Sequence, residues 1–174
     1  GCDGESSGGM PQKMAFMGGE LRSGASWATL RQSESLSGCE WSVAATERST
    51  PPDLSGPIEP RVRSVSNSSS CRHLGETGSM RLEFINDRLM SLDFVPDNFS
   101  AYHDALRREL ENIGAVEKEV PPGERVFVLK DGSRVLFEER YSLSDRVSVS
   151  VIRRDDVMTV HWSDLELVGW AISL

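Results

Sequence analysis

Asp131-Gly132 lies between two apolar runs, Val126-Phe127-Val128-Leu129 and Val135-Leu136-Phe137. That dipeptide in that setting is the strongest short-range signal for a β-hairpin. A second hairpin comes earlier. Leu82 and Phe84 share one face of a strand, Leu92 and Phe94 share one face of the next, and the intervening Asn86-Asp87 tolerates a tight turn. Further along, Val147, Val149 and Val151 alternate with Ser148 and Ser150, the period of a half-buried strand. Asp155-Asp156 then leads into Val157-Met158-Thr159-Val160-His161-Trp162, and Leu167-Val168-Gly169-Trp170-Ala171-Ile172 reads as a last strand. The second half is therefore expected to be a helix followed by a four- or five-stranded antiparallel meander.

The helical signals are two. Gly24 suits a turn, Ser26 suits an N-cap, and Trp27 and Leu30, with Leu21 before the cap, make the inward face of a short helix. Cys39-Glu40-Trp41-Ser42-Val43-Ala44-Ala45-Thr46 then alternates as a strand. The longer helix is capped by Asp97 or Ser100, carries Tyr102, Ala105, Leu106, Leu110 and Ile113 at steps of three and four, and stops at Gly114. Between them, residues 48–72 hold Pro51, Pro52, Pro57, Pro60 and the run Ser64-Val65-Ser66-Asn67-Ser68-Ser69-Ser70, which reads as an excursion with little regular structure. Each half thus runs short helix, then strands. The expected fold is α+β: two short helix-plus-antiparallel-sheet units packed with the helices on one face of the sheet. Residues 1–16 would be a flexible tether, 17–96 a first lobe containing the long loop, and 97–174 a second lobe.

With 174 residues, 38% of them hydrophobic, the chain can bury one sizeable core. A net charge of -8 and a pI near 4.9 argue against nucleic acid, which needs clustered Lys and Arg, and against a polybasic grip on anionic lipid. No stretch reaches the roughly 20 apolar residues of a spanning helix.

The opening Gly1-Cys2-Asp3-Gly4-Glu5-Ser6-Ser7-Gly8-Gly9-Met10 resembles the start of a mature bacterial lipoprotein, in which a cysteine carries the lipid after signal-peptide cleavage. That resemblance implies lipidation at Cys2 and a membrane-anchored protein of the periplasm; Asp3 is similar to a signal for retention at the inner membrane. Acyl chains add about 0.8 kcal/mol per buried methylene, and stable anchoring needs more than one. The alternative is an unmodified thiol on a polar tail. Leu21-Arg22-Ser23-Gly24-Ala25-Ser26 with Leu30, and Leu82-Glu83-Phe84-Ile85-Asn86-Asp87-Arg88-Leu89, resemble segments of small envelope lipoproteins of the outer-membrane-assembly and β-lactamase-inhibitor-like type. The resemblance implies a helix–sheet domain that binds other proteins through its concave sheet and loops, without catalysis. The long Pro/Ser excursion, and the lack of Leu-Gly-x-Pro after the first helix, depart from that pattern.

Setting Cys2 aside leaves Cys39 and Cys71 as one natural pair, and the oxidising compartment that a lipoprotein implies favours a disulfide. Such a bridge would close a loop of about 33 residues and contribute roughly 3–4 kcal/mol. Two buried free thiols are the alternative. A metal role is weaker, since the spacing is not CxxC and His73 is the nearby nitrogen.

The sequence carries no GxSxG, HExxH or glycine-rich phosphate loop. His73 beside Cys71 reads as a loop residue, His103 as the exposed flank of the longer helix, and His161 as an outward residue next to Trp162. Asp93, Asp97 and Asp104 lack the spacing of a calcium loop. No enzyme activity, metal or cofactor is expected. Trp27 and Trp41 read as core. Trp162 and Trp170, near the C-terminal edge, are candidates for partner contact, with core burial as the competing role. The leading expectation is an envelope lipoprotein acting as a protein-binding adaptor or assembly factor for an unidentified envelope protein. An inhibitor or immunity protein against a periplasmic enzyme or toxin is the alternative, its acidic charge steering it to a basic target. A small-molecule carrier between helix and sheet is a third.

Overall fold

A computed structural model describes residues 10–49, 61–144 and 146–172. Three α-helices, α1 (Trp27–Arg31), α2 (Phe99–Asn112) and α3 (Leu165–Ile172), accompany nine strands. The strands are β1 (Trp41–Ser49), β2 (Arg61–His73), β3 (Glu76–Ile85), β4 (Arg88–Pro96), β5 (Val116–Lys118), β6 (Val126–Val128), β7 (Arg134–Leu143), β8 (Val147–Arg154) and β9 (Val157–Asp164). They form one antiparallel sheet in the order β1-β2-β3-β4-β9-β8-β7-β5, and β6 pairs with β7 as well. β4 and β9 join the halves of the chain side by side, with Leu92 opposite Trp162 and Phe94 opposite Val160.

The turns expected from local chemistry form. Asn86 and Asp87 take φ of 48° and 58° between β3 and β4, Asp155 takes 54° between β8 and β9, and Gly132 takes 87° between β6 and β7. Ser26 caps α1 by accepting from the Thr29 amide. α2 is capped by Asn98, which accepts from Ala101 N–H at 3.1 Å, and not by Asp97 or Ser100. Asp97 instead accepts from the Thr77 hydroxyl. α2 closes at Gly114, with φ 70°.

The pleat sorts side chains into two faces. On one, Leu82, Leu92, Trp162, Val149 and Tyr141 lie in register across five strands, beside the row Met80, Phe94, Val160 and Val151. Tyr102, Leu106 and Leu110 of α2 cover these rows, together with Met17, Leu21, Ala25, Leu30 and Leu36 from the N-terminal segment and α1. On the other face, α3 sets Leu167 against Ile85 and Met90. The fold is mostly sheet and broadly α+β, as expected, but the two units are merged into one large sheet, with α1 and α2 on one face and α3 on the other. The cause is the β4–β9 pairing, which merges both meanders and leaves the helices to cover different parts.

Two segments differ from expectation in type. Residues 61–72, read as irregular, belong to the 13-residue strand β2, which is paired on both sides. Partners on both edges override the weak strand preference of serine, and Ser66 and Ser68 are buried. The terminal run expected as a strand is α3. The Asp164 carboxylate accepts from the Glu166 and Leu167 amides at 3.0 and 3.3 Å and starts the helix. A short continuous apolar run fits either structure by periodicity alone. Residues 10–16, assigned to the tether, lie on the domain. Ala15 and Ser23 exchange hydrogen bonds, Phe16 bridges Arg22, and Met10 packs near α3. Cys2 and Pro51, Pro52, Pro57 and Pro60 fall outside the described residues.

Candidate functional site: the second face of the sheet

Where the covered face is apolar, its reverse is polar. Asn67, Arg81, Asp93, His161, Ser150 and Arg140 follow one another in register across six strands. Alternation alone dictates their side, because each is the neighbour in sequence of a core residue such as Leu82, Leu92 or Trp162. His161 Nδ1 lies 2.5 Å from Asp93 Oδ1, and Arg81 approaches the same carboxylate at 3.9 Å. Next to this row, Arg63 meets Glu83 at 2.8 Å and the Ser91 hydroxyl donates to Glu83.

A groove of about 850 Å³ crosses the strands here. Val95, Ile152 and Val135 give it apolar surface; Arg81, Arg154, Asp93 and Glu40 give it charges of both signs, and Asn67, Ser79 and Thr159 neutral polar groups. The mixture suits a ligand that is itself amphipathic, since apolar contact supplies affinity and placed polar groups supply orientation.

Ser150, His161 and Asp93 stand in one row on adjacent strands. A nucleophile must hydrogen-bond its base, and among the described residues no hydrogen bond joins Ser150 to His161. The pair that does form, Asp93–His161, is an element of the polar surface.

The other histidines are held differently. His73 lies in β2 rather than in a loop, and it is buried. Its Nε2 donates to the Met17 carbonyl at 3.1 Å, which leaves Nδ1 to accept from the Tyr102 hydroxyl at 2.7 Å. Tyr102 accepts in turn from Trp162 Nε1–H at 3.4 Å. Burial pushes the His73 pKa down to about 4 and pushes the Tyr102 phenol upward. Gly18, at φ 97°, passes so close that a Cβ there would sit 2.4 Å from the His73 ring. His103 meets Glu139 at 2.8 Å, and Glu139 also accepts from Tyr141, whose phenol is raised mainly by burial.

Cys39 and Cys71 are disulfide-bonded, with Cα atoms 4.8 Å apart; the sulfur of Cys71 is thereby unavailable as a partner for His73. Of the two tryptophans expected at a partner surface, Trp162 is fully buried and forms the centre of the core. Trp170 is partly buried on α3 beneath the Arg61 guanidinium, 4.9 Å from the ring centre. Trp27 and Trp41 pack edge to face, centroids 5.1 Å apart. Asp93 belongs to the polar row, Asp97 to Thr77, and Asp104 is exposed. Among the described residues no group of three or more His, Cys, Asp or Glu side chains is arranged to hold a metal ion, and no helix is long and apolar enough to cross a membrane.

The polar row escaped the sequence reading because β4 and β9 are far apart in the chain. The alternation that places Arg81, Asp93 and His161 opposite core residues was legible; their alignment into one row was not. A comparison with protein-family models, curated proteins and solved structures finds no match to this chain.

Proposed function

We propose that this chain is a non-catalytic binding module of the bacterial envelope, tethered through lipid on Cys2, which acts as an adaptor or assembly factor by receiving an amphipathic segment of a partner protein in the groove of its second sheet face. The observation that carries this reading is the groove itself: an open trough over a rigid sheet, apolar at Val95, Ile152 and Val135 and rimmed by Arg81, Asp93 and Arg154. Its floor stands on strands whose opposite sides are locked into the core, so the surface is preorganised and loses little freedom on binding. The Cys39–Cys71 bridge supports an oxidising compartment.

The test places a photo-crosslinking residue at Thr159, in the groove, or at Arg108, exposed on α2, in the full chain expressed in a bacterial envelope. Thr159 should capture one defined envelope protein, Arg108 should not, and Ile152→Asp should abolish the capture. Equal capture from both positions would reject the groove as the binding surface. Metabolic labelling with a fatty-acid probe checks the tether separately: label lost in Cys2→Ser supports it, and an unlabelled parent chain rejects it.

A further inference from the structure

Four groove positions form a line across four adjacent strands. Ser79 on β3 lies opposite Val95 on β4, and Thr159 on β9 lies opposite Ile152 on β8. Between these pairs, one step past Phe94–Val160 sets Val95 beside Thr159. All four side chains line the groove, so its floor runs across the strands. β3, β4, β9 and β8 each have a strand on both sides. Their backbone N–H and C=O groups lie in the plane of the sheet and are taken up by the ladders. The floor therefore offers side chains, and no edge for a further strand to join.

A segment lying on this floor must bring a backbone already satisfied, and its side chains must repeat at the spacing of the strands, about 4.8 Å. An α-helix returns a side chain to the same face once per turn of about 5.4 Å and closes its own hydrogen bonds. An extended segment does so only about every 6.8 Å and leaves its N–H and C=O groups open. The helix is the better match on both counts. Val95 and Ile152, two strand intervals or roughly 9.6 Å apart, suit residues i and i+7, which a helix separates by about 10.5 Å. Thr159 then meets the turn between them. The groove is also polarised along its length. Glu40 stands just before β1 at one end and Arg154 closes β8 at the other, whereas Arg81 and Asp93 between them face each other at 3.9 Å and offset.

We propose that the occupant of the groove is an amphipathic α-helix of the partner protein, laid across β3, β4, β9 and β8. Its apolar residues at i, i+3 or i+4, and i+7 rest on the floor, as in other helix-in-groove recognition. A Lys or Arg at one end meets Glu40, and an Asp or Glu at the other end meets Arg154. The inference rests on the groove being the partner surface, and adds the form and charge pattern of the segment that fills it.

The experiment places photo-crosslinking residues singly at Ser79, Thr159 and Ile152 in the full chain in a bacterial envelope, and reads the captured partner residues by mass spectrometry. Ser79 and Ile152 are three strand intervals apart, roughly 14 Å, which a helix covers with about ten residues and an extended segment with about four. Capture sites about ten residues apart are expected. Should the Ile152 variant not fold, Ser79 and Thr159 decide, with about six residues for a helix against about three for an extended segment. A synthetic peptide of the captured segment should gain helical circular dichroism on binding, and Glu40→Lys and Arg154→Glu should each weaken its binding several-fold. Capture sites at the extended spacing, or a bound peptide without helical signal, overturn the helix and leave the groove as the partner surface. Binding unchanged in both charge variants overturns the proposal as well. No capture from any of the three positions, or capture of lipid in place of protein, overturns the groove reading and this inference with it.

Discussion

Ser23 donates a 2.6 Å hydrogen bond to Asp164, 141 residues further along the chain. Asp164 is fully buried, faces the Arg146 guanidinium at 2.9 Å, and uses its other oxygen to cap α3. Arg146 also donates to the Lys13 carbonyl. One carboxylate thus ties the N-terminal segment, the start of β8 and the last helix together. Replacing Asp164 by Ala removes the buried counter-charge of Arg146, leaving it the exposed Glu166 carboxylate at 3.6 Å, and should cost about 3–5 kcal/mol. Asp164→Asn keeps an acceptor for the helix amides and should cost less. Urea unfolding measures both; a loss below about 1 kcal/mol for the alanine variant would put the pair in the class of exposed ion pairs.

His73 makes stability depend on pH. Burial holds its pKa at about 4 in the fold against an ordinary 6.5, so the unfolded chain binds the extra proton throughout that interval. Stability due to this group is complete above about pH 6.5 and declines as pH falls toward about 4, by up to about 3 kcal/mol. Chemical denaturation at stepped pH should show that slope, and His73→Gln should flatten it within the same window. An unchanged slope in the variant would assign it to other groups.

Reduction of Cys39–Cys71, which spans 32 residues, should lower stability by about 3–4 kcal/mol. The check is the denaturation midpoint with and without reductant. The Cys39→Ser/Cys71→Ser variant should match the reduced protein, and a midpoint indifferent to reductant would deny the bridge a stabilising role.

Gly78 permits β3 and β4 to approach where no side chain fits: a Cβ would lie 2.4 Å from the Val95 carbonyl oxygen and 2.8 Å from Pro96 Cα. Both are backbone atoms of the neighbouring strand and cannot swing aside. Gly78→Ala should cost about 1–3 kcal/mol, read as a lower thermal midpoint. A neutral result would show that the strand pair is able to spread.

Leu106, fully buried between α2 and the sheet, tests the covered face. Truncation to Ala should cost about 2–5 kcal/mol by urea unfolding. A cost under about half a kcal/mol would be that of a surface position.

Local chemistry wrote much of the architecture openly. Asn86-Asp87, Asp131-Gly132 and Asp155-Asp156 formed turns, Ser26 capped its helix, and Tyr102, Leu106 and Leu110 formed an inward stripe, because each depends on neighbours within a few residues. One error was local, the cap of α2 falling on Asn98 rather than Asp97 or Ser100; the others lay where contacts are long-range. The serines of β2 became a strand because β1 and β3 flank it, and Leu167–Ile172 became a helix because Asp164, fixed by Ser23 and Arg146, caps it.

What residue order alone established was therefore the inventory: antiparallel hairpins, an amphipathic helix, an acidic chain, and which side of each strand is apolar. The assembly settled which strands are neighbours, and with that the burial of Trp162, the row Arg81–Asp93–His161 and the exposure of the apolar strand Val126–Val128. The physical reason is that a strand's period is local, whereas the identity of the strand beside it depends on closing loops tens of residues long, where the balance of burial over the whole sheet outweighs any short segment's preference.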